Sequence, residues 1–312
     1  MQSPLARVIL FIFAGYGLIL LLLVAKDWID AEFPRAPAIA PLTASIQDPL
    51  DRRTADRARH RFRRLSEAER RVLKANLAAG LIPLRRWLAD VAASGCPLIC
   101  LGELHETATR RFLADTLFTG LPIDVLLLEA TPKEMRRLNR WAASGRRYVP
   151  LLGADIARVM RAARDRNPDV DIWGIEETRA QAAAHHRETG ARDRAIARNF
   201  WRSYQPGKRH LILFGALHCT ATSAWLYANI RAQAPDTLRE QMMNLQVLGV
   251  HQNGSLEAFV SFLDGIGIDT TDFVIADTRA LPRPVYRWFP SFNEEILSKF
   301  SAVMVFRDLA IE

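Results

Sequence analysis

Four short apolar runs constrain the fold of this chain more than any other feature: PLICL (97–101), DVLLL (124–128), VDIWGI (170–175) and HLILF (210–214). Each is too short for a stable helix, and helix-period sequence lies between them. Strands that are apolar almost throughout are buried on both faces, as in parallel sheets covered by crossover helices. Leu245–Val250, Phe273–Ala276 and Ala302–Phe306 extend the pattern. The expected fold is therefore α/β, a mixed, mainly parallel sheet with flanking helices, spanning residues 96–312.

What closes those runs points to chemistry. The first ends in Gly102-Glu103-Leu104-His105 and the fourth in Gly215-Ala216-Leu217-His218. The second ends in Glu129 and the third in Glu176-Glu177. In open α/β sheets ligands bind outside the carboxyl ends of the strands. Two imidazoles and several carboxylates are thus sent to that edge, on glycine turns that allow close backbone approach. A lone strand-end Glu usually caps a helix or pairs with an arginine, so it is the coincidence of both turns with Glu129 that marks a site. His60, His185, His186, His210 and His251 lack this context and are expected to be surface or structural residues. Glu176 and Glu177 receive no role.

Cys96, Cys100 and Cys219 are too few and too odd in number for a disulfide framework, and Cys96 and Cys100 do not form a C-x-x-C. Cys219 is expected to be a small buried side chain rather than a nucleophile. There is no G-x-S-x-G elbow, H-E-x-x-H helix or G-x-x-x-x-G-K-[ST] loop, and Gly265-Ile266-Gly267 lacks the third glycine of a dinucleotide fingerprint. A serine hydrolase, a zincin, a P-loop enzyme and a Rossmann dehydrogenase are disfavoured.

Ahead of the sheet, residues 8–25 form eighteen consecutive uncharged residues. As a helix they are roughly 27 Å long, close to the thickness of a bilayer core. The run is longer than a signal-peptide core, and the nearest A-x-A (38–40) lies well beyond it. Residues 1–30 are therefore expected to be a single transmembrane anchor, and the protein a single-pass membrane protein. Arg7 favours an inside N-terminus while Lys26 and Arg35 argue the other way, so the side of the soluble domain stays open.

Residues 31–95 read as a linker containing Pro34, Pro37, Pro41 and Pro49, then an arginine-rich helical neck. Ser66-Glu67-Ala68-Glu69 is a capping box, Gly80 ends that helix, Pro83 opens the next and Gly95 closes it. The formal charge is +8, and seven arginines between Arg52 and Arg64 supply most of the excess. That run is either a solvated helix face or a contact for anionic lipid. The rest is close to balanced, which leaves no broad basic face for nucleic acid.

Across Leu98 to Phe306 the chain resembles the Tiki, ChaN and erythromycin-esterase-like superfamily. The resemblance rests on LGELH (101–105), LLLEA (126–130), RDRAIARNF (192–200), LFGALH (213–218) and AVMVF (302–306). GELH followed by Glu106 is similar to the haem-binding ChaN-like branch, and the paired G-x-x-H turns are similar to the Tiki metalloproteases. The resemblance implies a site of Glu103, His105, Glu129, Arg192 and His218. It also implies three possible activities: metal-dependent proteolysis, metal-independent ester hydrolysis and haem binding.

The chemistry of those residues suits a membrane-anchored hydrolase of peptidase or esterase type, acting on a small-molecule or peptide substrate. Two neutral imidazoles and a carboxylate can hold Zn²⁺ or Mn²⁺ and lower the pKa of bound water. On that reading His105 and His218 are ligands, Glu129 is third ligand or base, and Glu103 is the other carboxylate. Arg192 either holds an oxyanion or substrate carboxylate, or orients Glu103 or Glu129. Without metal, one histidine activates water and the arginine stabilises the tetrahedral charge. The alternative is a haem- or iron-binding uptake protein, with His105, His218, Tyr148 or Tyr204 as axial ligand.

Overall fold

The computed structural model describes residues 38–39, 49–143, 153–185, 188, 190–250, 254–276, 281–290, 299–307 and 309–310. The expected anchor at 8–25, His186, His251 and Tyr148 lie outside them. Among the described residues no helix is long and apolar enough to cross a membrane.

Eight strands form one sheet: β1 (Leu81–Pro83), β2 (Leu98–Glu103), β3 (Val125–Leu128), β4 (Asp171–Gly174), β5 (His210–Gly215), β6 (Met242–Gly249), β7 (Phe273–Ile275) and β8 (Ala302–Phe306). Their spatial order is β1-β7-β8-β6-β2-β5-β3-β4. The five pairings from β8 to β4 are parallel, whereas β7 pairs antiparallel with both β1 and β8. The sheet is thus mixed and mainly parallel. Strand β1 has no counterpart among the apolar runs read from the sequence. It is three residues long at the sheet's edge, where Pro83 is tolerated.

The helices that position the site are α1 (Pro49–Arg63), α2 (Glu67–Gly80), α3 (Leu84–Ser94), α4 (Thr107–Phe112), α5 (Pro132–Ala143), α6 (Gly153–Arg166), α7 (Ala191–Ser203), α8 (Leu226–Gln233) and α9 (Gly254–Gly265). The capping box forms at α2: the Glu69 amide donates to Ser66 Oγ, and the Ser66 amide donates to the Glu69 carboxylate. Helix α3 ends on Gly95 in the left-handed conformation, φ 69°.

Side-chain alternation explains why the strands are apolar throughout. In β2, Ile99 and Leu101 join a cluster with α3 and α6 residues such as Trp87 and Val159, while Leu98 and Cys100 face α7 and α8 through Phe200 and Ile230. At the other end of the sheet, Phe273, Ile275, Val303 and Val305 meet Phe259 and Phe262 of α9. Ala55 and Ala58 of α1 and Leu73 and Leu77 of α2 complete that cluster, so the helices of the arginine-rich segment lie against the sheet.

Cys100 and Cys219, 119 residues apart, form a disulfide with Cα atoms 5.5 Å apart. The cysteine count did not anticipate this. Strands β2 and β5 are neighbours, and the turn after β5 folds Cys219 back over Cys100, a proximity that exists only once the sheet is assembled.

Candidate active site

The carboxyl ends of β2, β3, β4 and β5 lie side by side in the sheet, so the residues that follow them meet. Glu129 is the hub. Its Oε2 lies 3.3 Å from His105 Nε2 and accepts the Gly215 amide at 2.9 Å, and its Oε1 accepts Arg192 Nη2 at 2.8 Å. His218 Nε2 stands 3.8 Å from the same Oε1. The two G-x-x-H turns therefore converge on one carboxylate.

Each imidazole is held from behind. His218 lies on the 3₁₀ turn Ala216–Cys219 and is buried; its Nδ1 donates to the buried Asp193 Oδ1 at 2.6 Å. That bond leaves Nε2 with its lone pair toward the site, where Arg192 Nη1 donates to it at 3.0 Å. His105 is half exposed at the mouth, with Nδ1 3.1 Å from Glu103 Oε1. Glu103 is itself buried and takes Arg110 Nε and Nη2 at 3.0–3.2 Å. Glu103 is thus consumed in fixing His105 and Arg110. Arg192 spans Glu129 and Glu176, with Nη2 2.6 Å from Glu176 Oε2 and Nε 3.0 Å from Oε1. Of the two carboxylates considered as its partners, it takes Glu129 and not Glu103.

Three participants escaped the sequence reading: Asp193, Arg110 and Glu176 as a partner of Arg192. Asp193 follows Arg192 in the first turn of α7, where an acidic residue ordinarily favours the helix dipole. Only its burial reveals the contact with His218. Among the described residues, the other histidines behave as structural or surface residues. His210 Nδ1 donates to Lys208 O and its Nε2 accepts the Gln205 amide, with burial pushing its pKa down. His185 pairs with Glu177 at 2.7 Å, and His60 is exposed. Tyr204 stacks on His210 at the far end of α7, about 18 Å along the helix from Arg192.

His105 adopts φ 56°, a left-handed conformation that costs a non-glycine residue roughly 1–2 kcal/mol. Such strain at a strand end commonly marks function. Close packing also explains both motif glycines. A Cβ on Gly102 would lie 2.8 Å from Ala216 Cα, and one on Gly215 would lie 2.8 Å from His105 Nε2. Gly102→Ala should therefore cost stability, about 1–3 kcal/mol, because backbone must move. Gly215→Ala should instead push the imidazole ring of His105 off Glu129 and lower the His105 pKa, with a smaller change in melting temperature. Urea melts and NMR titration of the histidines in the two variants separate these outcomes.

The electrostatics follow the hydrogen bonds. The bond to Glu103, then that to Glu129, raises the His105 pKa from 6.5 to about 9. Burial pushes the Glu129 carboxyl up, but bonds from His105, the Gly215 amide and Arg192 outweigh it and bring the pKa from 4.5 down to about 2. Because His105 is raised on folding, its stabilisation is full below pH 6.5 and is lost as pH rises through about 9. Because Glu129 is lowered, its contribution is full above 4.5 and is lost as pH falls toward about 2. The stability gap between the protein and a His105→Ala variant should accordingly close between pH 6.5 and 9 in urea titrations. A gap that widens over that interval would contradict the imidazolium assignment.

No protein-family model and no curated protein matches this chain. Solved structures similar to it include RRSP, a MARTX toxin effector domain from Vibrio vulnificus CMCP6, with 15% identity over 56% of this chain and 37% of that one, at a TM-score of 0.35. Two structures of bacterial protein toxins share 14% and 13% identity, over 62% and 65% of this chain and 41% and 46% of theirs, with TM-scores of 0.36 and 0.35. The chain spans less than half the length of these structures. The likeness is distant. Function rests on the site itself.

Proposed function

We propose that this protein is a hydrolase of esterase or peptidase type, a member of the Tiki, ChaN and erythromycin-esterase-like superfamily. The observation that carries the reading is the Asp193–His218 pair, which aims a lone-pair nitrogen at a site ringed by Arg192, Glu129 and His105. His218 Nε2 takes a proton from water as its oxygen attacks the substrate carbonyl, and Asp193 stabilises the imidazolium that forms. The carbonyl oxygen displaces Nε2 from Arg192 Nη1 and is met by that N–H as negative charge develops. Collapse of the tetrahedral intermediate returns the proton from His218 to the leaving group. Glu129, with its pKa near 2 and three donors upon it, is a weak base. It positions His105 and Arg192 rather than activating water.

A divalent metal is a poor fit to these residues. Among the described residues no group of three His, Cys, Asp or Glu side chains is arranged to hold one. The nitrogen of His218 that would ligate it faces a guanidinium. We therefore favour the metal-free form of the hydrolytic reading over Zn²⁺ or Mn²⁺ held by His105, His218 and Glu129. The expected result is that hydrolysis of a generic ester and peptide panel survives exhaustive chelation. Activity lost to chelator and restored by Zn²⁺ or Mn²⁺ would reverse this. Haem is less well supported, since both ring nitrogens of His105 are engaged and Tyr204 lies away from the site. Haemin should give no saturable Soret shift.

The location proposed is a membrane-anchored domain outside the cytoplasm. A disulfide such as Cys100–Cys219 belongs to oxidising compartments, and Arg7 ahead of the 8–25 run favours an inside N-terminus. Protease accessibility on intact cells tests the orientation.

A further inference from the structure

Strand β4 is the last in the sheet, and among the described residues no strand lies on its outer side. The Asp171 and Ile175 amides donate inward to Asp124 O and Leu128 O. By the two-residue alternation of a strand, Ile172, whose side chain is buried, and Gly174 turn their N–H and C=O groups outward, where among the described residues no strand pairs with them. This edge forms the floor of a trench of about 660 Å³, walled by α5 on one side and α7 on the other. Three exposed arginines stand along it: Arg136 on α5, and Arg198 and Arg202 one turn apart on α7. Among the described residues none of the three has an acidic side chain in ion-pair range. Trp173 is 48% exposed there, high for so large an apolar side chain on a strand.

The trench leads to the site. Glu176, a partner of Arg192, directly follows the floor. Arg192 precedes Arg198 on the same helix by about 9 Å. Asn199, from the trench wall, donates to the carbonyls of Ile175 and Glu176 at 3.1 and 3.2 Å and so joins the two regions. At the mouth of the site Leu104 and Leu217, which precede the two histidines, are 37% and 58% exposed.

We propose that an acidic, extended peptide docks here as an added strand on β4. Its backbone pairs with Ile172 and Gly174, its carboxylates meet Arg136, Arg198 and Arg202, and an apolar residue beyond them rests on Leu104 and Leu217. The free edge supplies affinity without regard to sequence, and the arginines supply selectivity for charge. The inference rests on the hydrolytic reading only in taking this peptide as the substrate. It names the substrate class: peptides with an acidic arm beside an apolar residue at the cleaved bond.

Fluorescence anisotropy on the full-length protein in detergent tests it, using His218→Ala so that binding is read without turnover. The probe is a short labelled peptide alternating Glu and Val. It is compared with its Lys-for-Glu counterpart, with a form N-methylated at alternate amides, and with a single-stranded oligonucleotide of equal charge. The acidic peptide should bind about tenfold tighter or more than each comparator, and Arg198→Glu with Arg202→Glu should weaken it by a similar factor. Equal binding of the N-methylated peptide or the oligonucleotide would overturn strand addition, leaving a mere anion-binding surface. Indifference to charge reversal, on probe or protein, would overturn the docking face altogether. Tight binding of the acidic peptide without its cleavage by the unsubstituted protein upholds the docking face and sinks the peptidase reading. Ester hydrolysis without peptide binding does the reverse.

Discussion

Replacing Asp193 by Asn should lower turnover by about 10³-fold or more while the protein still folds. The Asp193 carboxylate accepts a hydrogen bond from the His218 Nδ1–H and thereby keeps Nε2 as the basic nitrogen. An amide at that position can donate to Nδ1 instead, which moves the ring proton to Nε2 and aims a donor where a base is needed. The side chains are nearly isosteric, so the change tests tautomer and charge without opening a cavity. His218→Ala should remove about the same activity. The double variant should be scarcely worse than either single one, because residues acting as a unit are non-additive. Adding His105→Ala should likewise cost little once His218 is gone. An Asp193→Asn protein with unchanged turnover beside an inactive His218→Ala protein would show that the base works without its buried partner. A fully active His218→Ala protein would end the shared-site reading.

Reduction of the Cys100–Cys219 disulfide should produce the largest loss of stability. The bond closes 119 residues of chain, including β3, β4, α7 and β5. For a loop of that order the unfolded chain gains about 4–5 kcal/mol of conformational freedom once the link is cut. Paired Cys100→Ala and Cys219→Ala substitutions, or reductant, should therefore lower the melting temperature by roughly 8–20 °C. Cys219 is also the residue after His218 on the turn Ala216–Cys219, so the link ties that turn to β2. Activity should fall at temperatures where the reduced protein is still folded. Urea melts with and without reductant, with thiols counted by mass spectrometry, decide the matter. Identical midpoints for oxidised and fully reduced protein would remove the structural role.

Local sequence carried much of this molecule. The runs at 97–101, 124–128, 170–175 and 210–214 became β2, β3, β4 and β5, because a strand buried on both faces must be apolar at nearly every position. The two G-x-x-H turns and Glu129 were legible for a related reason: glycine, histidine and glutamate are out of place at the end of a buried strand unless the backbone turns there. The Ser66 capping box was legible because its two hydrogen bonds span only three residues.

What the chain order could not express was who meets whom. Strand β1 is three residues long and takes its identity from pairing with β7, not from its own pattern. Arg110 reaches Glu103 from the next helix, Asp193 reaches His218 across 25 residues, and Cys100 reaches Cys219 across 119. None of these pairings has a local signature, since an acid in a first helical turn or an arginine in a last one looks the same whether it faces water or a buried partner. The roles of the site residues turn on those partners. Glu129 reads from sequence as a base or ligand, yet three donors hold its carboxyl near pKa 2. His218 reads as a ligand, yet Arg192 stands before its free nitrogen. Local pattern places these residues at the sheet edge, whereas their tertiary partners set the pKa of Glu129 and His105 and the bonding of His218, because hydrogen-bond partners and burial set a pKa and neither is a property of the residue alone.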